Sequence, residues 1–94
     1  MRLRYTKRAL ADIDRIGSYL SERSPQGAAN VLSRIEGVIS SLADHPRSGR
    51  ATDRRDVRVR VAGEYSYLVF YRVRTDGDVS ILHVRHAARR PFAR

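Results

Sequence analysis

Between Val57 and Arg85 the chain reads VRVRVAGEYSYLVFYRVRTDGDVSILHVR. Three strand-like runs are packed there with only short reversals between them, which leaves little choice but an antiparallel meander. Val57, Val59 and Val61 alternate with Arg58 and Arg60, the period of two expected of a strand with one dry and one wet face. From Tyr67 to Arg74, Leu68 and Phe70 share one face while Val69, Tyr71 and Val73 share the other. Both faces are apolar, so this run reads as a central strand covered on both sides. Asp76-Gly77 supplies the hairpin turn into a last strand, Val79 to Arg85. The simplest assignment turns the three valines toward whatever covers the sheet and leaves Arg58 and Arg60 on the opposite face.

The first half of the chain has the helical period. Arg2 to Tyr5 reads as a short strand, and Thr6 is a good N-cap. From Lys7 to about Leu20, Ala9, Leu10, Ile13, Ile16 and Leu20 recur at spacings near three and four and form a stripe. Arg8 and Asp12 lie off the stripe, four residues apart, and read as a weak surface pair. Gly17 adjoins the stripe and leaves room for a neighbouring helix. Ser24-Pro25 combines an N-cap with a first-turn proline. The second helix runs to about Ala43, with Ala28, Val31, Leu32, Ile35, Val38, Ile39 and Leu42 on one side. Two adjacent helices with a short link form a hairpin. His45-Pro46-Arg47-Ser48-Gly49-Arg50 closes it, because proline disfavours helix just before itself. The expected fold is therefore α+β: a helical hairpin packed on a mostly antiparallel four-stranded sheet, in the order β-α-α-β-β-β.

Ninety-four residues suffice for a single domain over residues 1–94. No apolar run approaches the roughly 20 residues needed to cross a bilayer, and the N-terminus has no signal-peptide pattern. There is no cysteine, which is compatible with a cytoplasmic protein. The formal net charge is +9, and Lys7 is the one lysine among nineteen basic residues. Residues 46–94 hold twelve basic against five acidic side chains, while residues 1–45 hold seven against five. Such an arginine-rich half suits an anionic partner, either nucleic acid or an acidic protein segment, since the guanidinium fork matches phosphate and carboxylate alike.

Catalytic signatures are weak by comparison. There is no glycine-rich phosphate loop and no zinc pattern. His83 and His86 would point to opposite faces of a strand, which argues against a shared metal, and no metal or cofactor is expected. Asp76 and Asp78 flank a turn glycine and read as turn chemistry. Glu64, in a reversal, is poorly placed as a base.

Three stretches carry a family resemblance: RLRYTKRALADIDRIGSYL at the start, HPRSGR from His45 to Arg50, and RVRVAGEYSYLVFYRV with VSILHVRHAARRP at the end. In order and spacing they resemble the RelE/ParE toxins of bacterial type II toxin–antitoxin modules, and the ParE-like, plasmid-stabilisation branch in particular. The resemblance implies a growth-inhibiting toxin neutralised by a cognate antitoxin, in a hetero-oligomer, through an acidic and partly disordered segment. In one branch of the family such toxins cut mRNA on the ribosome, with lysines, arginines and a C-terminal tyrosine, or with a glutamate, an arginine and a histidine. Here the lysine cluster is missing and no tyrosine follows Tyr71. If RNA is cut, the candidates are His83, His86, Arg58 and Arg85. The other branch poisons DNA gyrase and needs no hydrolytic site, and that target is the expectation here. Ribosome-dependent mRNA cleavage is the alternative, and a weakly toxic or non-toxic binding module the third. The residues expected to meet antitoxin or target are Arg50, Arg58, Arg60, Arg72, Arg85, Arg89 and Arg90.

Overall fold

The structure, a computed structural model, describes residues 2–63 and 66–88. Glu64, Tyr65, Arg89, Arg90 and Phe92 lie outside the described residues. The elements are β1 (Leu3–Tyr5), α1 (Lys7–Ser21), α2 (Pro25–Ser41), β2 (Arg50–Ala51), β3 (Val57–Val61), β4 (Tyr67–Val73) and β5 (Val79–His86). They form a helical hairpin and one five-stranded sheet in the order β1-β5-β4-β3-β2. The α+β fold matches the expectation, with one strand more. The addition is β2, two residues from the segment read as a loop, paired with β3 through Arg50–Val59 and Ala51–Arg58. All pairings are antiparallel except β1 with β5, which is parallel. Because β1 and β2 form opposite edges of the sheet, the helices carry the chain across it from one edge to the other.

Both helix starts follow from their caps. Thr6 Oγ1 accepts from the Ala9 N–H at 3.0 Å, and Ser24 Oγ accepts from the Gly27 N–H at 3.0 Å. The helices approach closely at Gly17, where a Cβ would lie 3.2 Å from Leu32 Cδ1. Ala9, Ile13, Ile16 and Leu20 join Val31, Ile35, Val38, Ile39 and Leu42 in the core. Leu10, expected in that stripe, is instead 55% exposed. The face of α1 turned toward β5 runs through Ala9, Asp12 and Ile16, and Leu10 lies about 100° around the helix from Ala9.

The sheet contributes Tyr67, Val69, Tyr71, Val79, Ile81 and Val84 to the same core. On β4 these are alternate residues, as a strand requires. On β5 the alternation breaks: Phe70 pairs with His83, but Tyr71 pairs with Ile81. Leu82 is thus an extra residue, a bulge, and it lets Ile81 and Val84 face the helices although three positions separate them. The hairpin into β5 is closed by Gly77 at φ 92 and by the Asp78 N–H, which donates to Asp76 Oδ1 at 2.9 Å. Asp78 in turn binds Arg4 Nε at 3.1 Å and ties β1 to the turn.

Tyr71 carries the most consequential polar contact in the core. Its ring is fully buried, and its hydroxyl accepts from the Gly49 N–H at 2.8 Å. A side chain at position 49 would collide with that hydroxyl, so the glycine is required by close approach. Two substitutions test this packing by urea unfolding. Ile35→Ala, at a fully buried site, should cost about 2–5 kcal/mol. Tyr71→Phe should cost about 1–3 kcal/mol by leaving the Gly49 N–H unpaired; wild-type stability in that variant would show that the contact does not hold the loop.

Candidate functional site

The strand register decides where the arginines go. On β3, Arg58 pairs with Tyr71 and Arg60 with Val69, while Val57 pairs with Arg72 and Val59 with Phe70. Directly opposed residues share a face. Arg58 and Arg60 therefore stand on the helix side with Tyr71 and Val69, and the valines stand on the other side. This reverses the assignment made from alternation alone. Val57 and Val59 are nonetheless buried, at 5% exposure each, on the face away from the helices.

Both arginines tie down the segment that follows α2. Arg58 Nη1 donates to the Gly49 carbonyl at 2.8 Å and, more loosely, to the Arg47 carbonyl at 3.4 Å. Arg60 Nη1 donates to Ser48 Oγ at 2.7 Å and to Ser41 Oγ at 3.4 Å. These guanidinium groups thus hold the segment between α2 and β2, and Arg60 reaches the last helical residue through the Ser41 hydroxyl. Arg60 also borders a cleft of about 400 Å³ lined on α2 by Asn30, Arg34, Gly37 and Ser41. Of the other expected contact residues, Arg72 and Arg85 lie on the face away from the helices, opposite Val57 and Leu68 respectively. Arg50 is exposed on β2 at the sheet edge. The five of these arginines among the described residues thus do not form one surface: Arg58 and Arg60 are separated from Arg72 and Arg85 by the sheet itself.

A second cluster forms where β5 outruns its neighbour. β1 pairs only as far as Ile81, and beyond that point α1 covers the strand edge. Thr6 begins the cover, its N–H and hydroxyl both donating to the Ile81 carbonyl. One turn and a half later Asp12 continues it. Its Oδ2 accepts from the Val84 N–H at 3.0 Å and from His83 Nδ1 at 2.7 Å, and its Oδ1 accepts from Arg15 Nη1 at 3.1 Å. Arg8 Nε lies 3.9 Å from Oδ2. Asp12 is 3% exposed, so it is no surface residue. Burial opposes its charge, but the Val84 N–H, His83 and Arg15 outweigh that and hold its carboxyl below the ordinary carboxylate pKa. An ionised Asp12 can only accept, so His83 carries its proton on Nδ1.

His83 stacks on Phe70 with ring centroids 5.6 Å apart, and its Nε2 is buried with no hydrogen-bond partner among the described residues. The two histidines face opposite sides of the sheet, as expected, His83 opposite Phe70 and His86 opposite Tyr67. Yet both line one cleft of about 300 Å³, which opens around the strand edge and is completed by Arg8, Arg15, Tyr19, Tyr67 and Arg85. His86 Nδ1 accepts from the Ala88 N–H at 3.0 Å. Asp12 is the site residue that pattern reading missed. Its partner lies 71 positions away, and only its place between core residues Ala9 and Ile16 hinted that it faces inward.

Two measurements check these roles. Arg58→Glu with Arg60→Glu should lower stability by placing carboxylates against the Gly49 and Arg47 carbonyls and removing the bonds to Ser48 and Ser41, so a thermal melt should fall even without any partner. Asp12 stabilises the fold fully above the unfolded-chain carboxylate pKa of about 3.9, and that contribution disappears as pH falls through its lower folded value. Asp12→Asn should therefore flatten the loss of stability on acidification, relative to wild type, in urea titrations run from neutral to strongly acidic pH.

With this geometry established, comparison with known proteins is direct. The family model described as the ParE toxin of the type II toxin-antitoxin system parDE matches residues 3–91. The putative toxin Y4kP of Sinorhizobium fredii is 40% identical over 86 residues, covering 92% of this chain and 88% of that protein. Toxin RelE2 of Caulobacter vibrioides is 40% identical over 88 residues, covering 90% and 93%. Among solved structures, one from the chromosomal ParDE TA system of P. aeruginosa superposes with a TM-score of 0.78 at 24% identity, covering 92% of this chain and 95% of that one, a likeness of fold. The chain belongs to the ParE toxin family, within the RelE/ParE toxins of type II toxin–antitoxin systems.

Proposed function

We propose that this toxin, acting as a single domain in the cytoplasm, inhibits growth by binding DNA gyrase rather than by cutting RNA. A cognate antitoxin with an acidic, partly disordered segment neutralises it. The observation that carries this reading is the engagement of its candidate catalytic groups. A general acid or base must come within about 2.6–3.2 Å of the proton it moves. His83 is bound to Asp12 through Nδ1 and closed to solvent at Nε2. His86 is tied to the turn after β5, and Arg58 to the Gly49 carbonyl. The family model matched over residues 3–91, named for ParE, supports the same branch.

Ribosome-dependent mRNA cleavage is the second reading, favoured by the 40% identity to a toxin named RelE2 and by a histidine whose tautomer is set by a carboxylate. Induced expression without antitoxin separates the two. Gyrase poisoning should produce DNA breaks and an SOS response with mRNA intact, and a folded His83→Ala variant should keep its toxicity. Codon-periodic mRNA cuts with normal supercoiling would favour the nuclease, and a loss of cleavage of about a hundredfold in the His83 variant would make that residue its acid or base. Undiminished growth would leave a binding module without toxicity.

A further inference from the structure

The cleft around Asp12 and His83 holds more positive charge than its own acid can satisfy. Among the described residues Asp12 is the sole carboxylate in its lining, against Arg8 and Arg15. Its oxygens are already taken by Val84 N–H, His83 Nδ1 and Arg15. Arg15 spends one of its five N–H donors there, and Arg8 stands 3.9 Å off, beyond hydrogen-bond length. The two side chains are 71% and 63% exposed, so their remaining donors face the cleft mouth and solvent. Deeper in, the His83 ring is held by Asp12 through Nδ1 and closed to solvent at Nε2, so the cleft offers its arginines rather than its histidine to a ligand.

We propose that this cleft is a carboxylate-binding subsite that takes a glutamate or aspartate side chain from an acidic peptide. The identity of that peptide as the antitoxin rests on the function proposed above; the subsite itself does not. The guanidinium groups of Arg8 and Arg15 form charge-assisted bonds to one carboxylate. Ile16, Val84, Tyr19 and Tyr67 give the cleft an apolar and aromatic wall that fits neighbouring peptide side chains. A recess of about 300 Å³ with such a wall suits an inserted side chain better than a phosphodiester ridge. The groups that share this environment are Asp12, Arg8, Arg15 and Tyr19 on α1, Tyr67 on β4, and Arg85 and His86 on β5.

Sodium acetate is the probe, titrated into the full chain at constant ionic strength set with chloride. Side-chain nitrogen NMR of His83, Arg8 and Arg15 is the readout. Saturable shifts at these three groups are expected. Arg8→Gln, whose contact to Asp12 is the looser one, should weaken acetate by about tenfold without unfolding the chain. Uniform, unsaturable shifts at arginines throughout the protein would overturn the subsite, as would a response to inorganic phosphate with none to acetate. In the second arm, Arg8→Gln with Arg15→Gln should weaken the cognate antitoxin at least about tenfold. The charge-matched control Arg54→Gln with Arg55→Gln, in the β2–β3 loop, should change it little. Equal losses in the two variants would reduce the effect to net charge and overturn the assignment. If the antitoxin fails to bind even the wild-type chain, the toxin–antitoxin reading falls, and the acetate arm still decides the subsite.

Discussion

Tyr67, Val69 and Tyr71 point toward the helices, and that parity of β4 sets most of what surrounds it. Because β4 is paired on both sides, its orientation passes through the hydrogen-bonded register to β3 and β5. It carries Arg58 and Arg60 to the helix side and Arg72 to the other. Shifting β4 by one residue would expose a tyrosine and a valine that are now fully buried, and would separate Tyr71 from the Gly49 N–H. The register is therefore fixed by burial and by one polar contact together.

The arginine content takes on a different meaning in this frame. An even distribution over one sheet face would have made a single anion-binding surface. Instead Arg58 and Arg60 hold the segment after α2, and Arg15 neutralises Asp12. Part of the positive charge is thus committed to holding the hairpin against the sheet. Arg50 lies at the sheet edge, and Arg72 and Arg85 lie on the face away from the helices. A basic protein of this size meets two demands with one residue type, because guanidinium binds backbone carbonyls, hydroxyls and carboxylates with the same planar fork.

The bulge at Leu82 joins the fold to the candidate site. It lets β5 keep both Ile81 and Val84 in the core, and it places His83 beside the strand edge, where Asp12 reaches it. The edge is exposed in the first place because β1 is only three residues long. A short edge strand limits pairing with other chains, but it leaves the Val84 N–H in need of an acceptor. A buried aspartate on α1 meets that need, and the His83 pairing follows from the same carboxylate.

Alternation, helical spacing and turn residues determined the order of every element except β2, both N-caps, the close approach at Gly17 and nearly all of the core. Those features depend on neighbours within a few positions, so the chain states them locally. Two things were decided only in three dimensions. The first is which face of β3 meets the helices: VRVRV reads equally well in either orientation, and only pairing with a strand apolar on both sides selects one. The second is the environment of Asp12. Its neighbours on α1 made it look like half of a surface pair with Arg8, but its energetics come from Val84 and His83, at the far end of the chain. A carboxylate buried by a distant strand leaves no periodic mark, because its partners are chosen by the sheet register and the bulge rather than by spacing along the helix.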